Sequence, residues 1–165
     1  EYAETGIAQS LRGMAQVILK GLGTRVLYTS QGGYDTHASQ VSVQTPLLSD
    51  LSAGIGDFFA DLSEHDAADN VMMLVFTEFG RRVKDNGSGS DHGSGGGCYL
   101  IGQPVKGGTL GDYPSLKEED QLDGDLHFNV DFRSVYSTIV DKWLGLDAQT
   151  AIGGNYETLD FVRSN

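Results

Sequence analysis

Residues 71–81 read VMMLVFTEFGR, and the reading of the fold turns on the apolar run that opens them. VMMLVFT, residues 71–77, has no polar alternation, which suits a central strand of a parallel sheet covered by helices on both faces. Upstream, Ile7, Leu11, Met14, Ala15, Ile18 and Leu22 recur at spacings of three and four and mark one face of an amphipathic helix, closed by Gly21 and Gly23. TRVLYTS, residues 24–30, reads as a buried strand that stops at Gly32 and Gly33. A second helix is expected from Pro46 to Leu62, with Leu47, Leu48, Leu51, Ile55, Phe58, Phe59 and Leu62 on one face and proline in the first turn. Downstream, KDNGSGSDHGSGGG, residues 84–97, reads as a flexible Gly/Ser-rich loop, CYLI, residues 98–101, as a short third strand, and residues 113–127 as loop. The last helix is expected from near Asp131, with Asn129 or Asp131 as N-cap, Phe132, Val135, Ile139, Trp143 and Leu144 facing inward, and Gly145 at its end. This order predicts an α/β fold, a mainly parallel sheet flanked by helices, in a single domain over residues 1–165. Three strands are few for such a sheet, so further strands are expected upstream.

The chain has 165 residues, enough to bury a core, and a net charge of −12 with a pI of about 4.5. That balance offers no basic stripe for a phosphate backbone and disfavours nucleic acid as a partner. It also disfavours anionic membrane surfaces, and no apolar run approaches the roughly 20 residues of a membrane span. Cys98 is the single cysteine. It excludes an internal disulfide framework and reads as a small packing residue beside the glycine run. The chain starts EYAETG without a basic-then-apolar leader, so processing or a preceding portion is expected.

Three short motifs carry the candidate chemistry: GGYDTH, TEFGR and SDHG. In open α/β sheets the loops that leave the carboxyl ends of strands converge on one rim, where ligands bind. Asp35 and His37, one residue apart in a loop that glycines let turn sharply, form a plausible ligand pair. Asp91 and His92 add a second pair, and Glu78 ends the apolar run. A mixed set of carboxylates and imidazoles suits a divalent metal such as zinc, manganese or iron better than the all-oxygen shells of calcium and magnesium. Such a cation acidifies water or polarises a phosphoryl or sulfuryl oxygen, and Arg81 can pair with the anion. The plainer readings are that Asp35 caps a turn, that Glu78 with Arg81 and Arg82 forms a solvated ion-pair group, and that Asp91-His92 lies in an inert linker. His65 at a helix end and His127 before the last helix read as structural. Neither G-x-S-x-G nor a phosphate-binding G-x-x-x-x-G-K-[ST] occurs.

Taken together, GGYDTHASQ, the apolar run into TEFGR, DNGSGSDHG, PVKGG and DFRSVYSTIVDKWLG resemble, in order and spacing, the carboxyl-terminal portion of the bacterial family catalogued as domain of unknown function 1501. That family looks like a branch of the alkaline phosphatase superfamily, with its sulfatases and phosphoglycerate mutases. The resemblance implies a doubly wound sheet with metals at its carboxyl rim. It matches Asp35 and His37 to the family's DTH, Glu78 and Arg81 to its EFGR, and Asp91 and His92 to its DHG. The superfamily's usual Asp-His pair after the central strand is Glu78-Phe79 here, which points away from a complete two-metal centre. The resemblance further implies a longer protein whose nucleophile and first metal-binding Asp precede residue 1, and a periplasmic or extracellular location.

The expected function is therefore metal-dependent hydrolysis of a small anionic phosphate or sulfate ester. Asp35, His37, Asp91 and His92 would hold the metal, zinc ahead of manganese and calcium, with Glu78 as base or ligand and Arg81 on the anion. The alternative is a non-catalytic relative in which the same residues serve structure or recognition.

Overall fold

The computed structural model describes residues 1–163 and divides them into two compact units. The first comprises residues 1–71 and 84–92, the second residues 72–83 and 93 onward. Helices α1 (Gly6–Leu19) and α2 (Gln40–Glu64) build the first unit. Thr5 caps α1 by accepting a hydrogen bond from the Ala8 amide, and Ile7, Ala8, Leu11 and Ala15 form its buried face. Against them α2 presents Gly54, Phe58 and Leu62. A Cβ at Gly54 would lie 3.3 Å from the Ala8 Cα, so the two helices approach closely where alanine faces glycine. The expected helix periodicity holds here, except that α1 stops at Leu19 and leaves Leu22 exposed, and that Leu48 of α2 is exposed.

Helix α2 starts six residues earlier than its pattern predicts, at Gln40, so Pro46 lies inside the helix rather than in its first turn. Proline there cannot donate to the carbonyl four residues back. Tertiary bonds from Gln40 and Gln44 to the motif segments, described below, hold the extra turns.

In the second unit β1 (Met73–Val75) pairs antiparallel with β4 (Tyr99–Ile101), Met73 opposite Ile101 and Val75 opposite Tyr99. Helix α3 (Phe132–Thr138) runs into a π-helical turn (Ile139–Trp143), and α4 (Ala148–Ile152) follows. Asp131 caps α3 through the Arg133 amide, one of the two caps expected for it. Val135 and Phe161 are the buried apolar side chains of this unit, and Thr138 is fully enclosed, donating to the Ser134 carbonyl at 2.7 Å and accepting from the Leu159 amide at 2.8 Å. Phe132, expected to face inward, is exposed and stacks edge-on to Tyr136.

β2 (Gly80–Asp85) and β3 (Ser90–Gly93) form a hairpin, and the stretch read as loop, residues 84–97, supplies the end of β2, the turn and all of β3. At Gly80, Gly89 and Gly93 a side chain would meet backbone, whereas Gly87 faces open space at a φ of +105°. A Cβ on Gly80 would lie 1.8 Å from the Gly95 carbonyl oxygen, and one on Gly93 would lie 2.6 Å from the Arg81 carbonyl carbon.

The expected α/β fold is not what forms. Among the described residues the strands make two two-stranded antiparallel sheets and no parallel sheet, so this is not an alkaline phosphatase-like architecture. Parallel neighbours need a crossover of a dozen or more residues, usually a helix, and the chain between β1 and β4 forms a hairpin instead. VMMLVFT is only half-buried, with Phe76 48% exposed, so its lack of alternation does not reflect a strand covered on both faces. TRVLYTS forms no strand and leaves Val26 and Tyr28 in solvent. CYLI does form one, over Tyr99–Ile101.

Candidate metal centre

The DTH and SDHG motifs meet in the first unit, each built around a buried hydroxyl. Thr36 lies between exposed Asp35 and His37, and Ser90 precedes exposed Asp91 and His92. The Thr36 amide donates to the Tyr34 carbonyl at 2.9 Å, which puts Asp35 at the apex of a tight turn. Ser90 lies on β3, and its amide donates to the Thr36 carbonyl at 3.4 Å. Helix α2 fastens both segments from its first two turns. The Gln44 Nε2 donates to Thr36 Oγ1 at 2.8 Å, and Gln40 Oε1 accepts from Ser90 Oγ at 2.7 Å. The Gln40 amide also donates to the Ser88 carbonyl at 3.0 Å. Beneath the turn, Tyr34 donates to Gln31 Oε1 at 2.8 Å, and burial followed by the charge of Asp50 raises its hydroxyl pKa, so it stays a neutral donor.

Fixing one hydroxyl inward turns its neighbours outward, and the outward side chains converge. Asp35 Oδ1 lies 2.6 Å from His92 Nε2 and 3.0 Å from His37 Nε2. The imidazole centroids are 5.0 Å apart, with the rings tilted by 32°. One ligand atom from each of Asp35, His37 and His92 fits within 4.8 Å of the others. Neighbouring ligand atoms of a tetrahedral zinc ion are about 3.3 Å apart, given Zn–N bonds of roughly 2.0–2.1 Å. The His37 separation lies about 0.3 Å from that figure and the His92 separation about 0.7 Å short of it, so the donor set suits a small divalent cation, and Asp35 and His92 would move apart to admit one. An ionised carboxylate only accepts, so each of the two imidazole nitrogens on its oxygen must carry its own proton or share a cation with it.

Asp91 meets the cluster through His37. Its Oδ1 lies 3.1 Å from His37 Nδ1, on the side of the ring opposite the nitrogen that faces Asp35. The side chains of Asp35, His37, Asp91 and His92 are 48–61% exposed, so solvent or substrate reaches all four. Glu78 and Arg81 belong to the second unit. Glu78 is exposed and accepts from Thr77 Oγ1 at 3.5 Å, while the Arg81 guanidinium lies over the Phe79 ring at 5.0 Å. His65 accepts its structural reading as the C-cap of α2, with Nδ1 2.8 Å from the Asp61 carbonyl.

Sequence reasoning passed over Gln40, Gln44, Asn86 and Gly89. Asn86 Nδ2 donates to the His37 carbonyl at 3.0 Å, and Asn86 Oδ1 accepts from the Gly89 amide at 2.9 Å in the hairpin turn. A Cβ on Gly89 would lie 2.4 Å from the His37 carbonyl carbon. The available signal was the spacing of Gln40 and Gln44, one helical turn apart directly after DTHAS. Cys98, expected to pack, is exposed as a residue, although partial desolvation still raises its thiol pKa and leaves it a poor nucleophile.

The model of a family described as protein of unknown function (DUF1501) matches residues 4–158. The chain belongs to this family. The match covers both units of the DUF1501 chain and every residue of the Asp-His cluster. No curated protein and no solved structure gives a significant match to it. No helix among the described residues is long and apolar enough to cross a membrane.

Proposed function

We propose that this DUF1501 chain binds one divalent cation, zinc ahead of manganese or calcium, through Asp35, His37 and His92, and that the site serves hydrolysis of small phosphate or sulfate esters. The observation that carries the reading is the convergence of two imidazole Nε2 atoms on one carboxylate oxygen at 2.6 and 3.0 Å. Three protein ligands are the number that catalytic zinc sites use, whereas structural sites take four and close the shell. A bound cation would supply Lewis acidity and lower the pKa of water. The chain's own contribution is to hold the three donors on an exposed turn and hairpin fastened to α2, where an anionic ester can approach. Asp91, expected as a fourth ligand, stands behind His37.

Glu78 and Arg81 keep their expected roles, base or ligand and anion partner, as part of this proposal. So does the inference that the chain is the carboxyl-terminal portion of a longer periplasmic or extracellular protein that supplies the nucleophile. The hydrolytic reading does not require the superfamily's sheet. A second reading, a non-catalytic site for structure or recognition, is favoured by the exposure of the whole cluster, since metal chemistry gains most where water is excluded.

Hydrolysis of aryl phosphates and aryl sulfates by the metal-loaded protein separates the two readings. The enzyme reading expects metal-dependent turnover that falls by about 100-fold or more in His37→Ala and His92→Ala, with a smaller loss in Glu78→Gln and Arg81→Ala. Turnover untouched by either histidine substitution contradicts it. Stoichiometric metal without turnover, in this chain and in the full-length protein, favours the non-catalytic reading.

A further inference from the structure

We propose that Asp91 is a positioning residue for His37 rather than a fourth ligand, and that Asn86 in turn fixes Asp91 and the loop that carries His37. This deepens the metal reading and rests on it. The geometry gives the two imidazole nitrogens of His37 different partners: Nδ1 lies 3.1 Å from Asp91 Oδ1, and Nε2 lies 3.0 Å from Asp35 Oδ1. A carboxylate accepts and does not donate, so Asp91 is placed to take the His37 proton from Nδ1, and with a cation bound between Asp35 and His92 the Nε2 lone pair would face that cation. Metal-ligating histidines characteristically donate their other ring N–H to a carboxylate, which sets the tautomer, orients the ring and strengthens the ligand.

Backbone and side-chain contacts support Asp91 in that place. Asn86 Nδ2 lies 3.0 Å from the His37 carbonyl oxygen and 3.5 Å from Asp91 Oδ1, so one amide touches both members of the pair. Asn86 is itself held by the hairpin turn, its amide donating to the Gly89 carbonyl at 3.0 Å and its Oδ1 accepting from the Gly89 amide at 2.9 Å. At the next position, buried Ser90 is tied to Gln40, which directs Asp91 outward beside the ring. The Asp-His pair of SDHG is thus divided between two tasks: His92 faces the cation position, and Asp91 stands behind the other histidine.

The test compares zinc calorimetry and cobalt absorption for wild type, Asp91→Ala, Asp91→Asn and Asn86→Ala, alongside the ¹⁵N spectrum of the His37 ring without metal. Positioning predicts that Asp91→Ala keeps one zinc per chain and the cobalt band positions while affinity falls about 10–100-fold. Asp91→Asn recovers part of that loss, because an amide oxygen also accepts the Nδ1 proton, and Asn86→Ala loses less than Asp91→Ala. Loss of stoichiometric zinc or shifted cobalt bands in both Asp91 variants makes Asp91 a direct ligand and overturns the proposal. If wild type binds no zinc, the metal reading fails, and the ring spectrum decides the remainder. An Nδ1 proton that is held in wild type and lost in Asp91→Ala supports the pairing, whereas identical spectra overturn it.

Discussion

At the scale of single residues, position decides what a charged side chain does. Asp131 and Asp91 are both aspartates beside a nitrogen donor, yet Asp131 serves a helix and Asp91 a histidine. The Arg133 side chain and then its backbone amide hold the Asp131 carboxyl below its usual range. A depressed folded-state pKa stabilises the fold at pH above the ordinary aspartate value of about 3.9, and the contribution is lost as pH falls through the lower folded value. Asp131→Asn keeps an N-cap but removes the charge. Thermal unfolding should therefore show the variant less stable than wild type near neutral pH, with the difference shrinking as the pH falls below about 4. A difference independent of pH would assign the effect to the cap geometry alone. His37 shows the same dependence on place, since its two nitrogens meet two different carboxylates.

At the scale of elements, the helices were more legible than the strands, of which CYLI and the middle of VMMLVFT form and TRVLYTS does not. Period-3.6 patterning needs only one buried stripe, and α1 and α2 bury theirs against each other at Ala8, Leu11, Gly54 and Phe58. Strand readings depend on a partner the sequence does not display: TRVLYTS finds none among the described residues, and VMMLVFT finds one short antiparallel neighbour. The Gly/Ser-rich stretch hides a hairpin because Gly89, Gly93 and Gly95 answer to close approach rather than to flexibility. The helix pair gives a direct test with two glycines one half-turn apart. Gly56 faces open space, so Gly56→Ala should stabilise by about 0.5–1 kcal/mol through helix propensity. Gly54→Leu meets the α1 backbone and should destabilise by about 1–3 kcal/mol despite its better propensity. Denaturant titration reads both, and equal gains from the two substitutions would contradict the close helix contact.

At the scale of the whole molecule, the candidate site was readable as residues but not as an arrangement. Asp35, His37 and His92 stood out as an acid and two imidazoles among glycines, and they do come together. What brings them together is not the rim of a parallel sheet but two segments fastened to the start of α2, with buried Thr36 and Ser90 turning their neighbours outward. No periodicity in the sequence reports a tie between Gln44 and Thr36 or between Gln40 and Ser90, because such bonds depend on tertiary placement. Glu78 and Arg81 illustrate the converse: their motif glycine is explained by the clash a Cβ at Gly80 would make with Gly95. The central claim is that the Asp-His cluster binds a divalent cation. Elemental analysis of the purified protein, after desalting without chelator and brief incubation with zinc, tests it most directly when wild type is run beside the His37→Ala, His92→Ala double variant. Close to one zinc per wild-type chain and none in the folded double variant is the predicted result, and equal metal content in the two would contradict it.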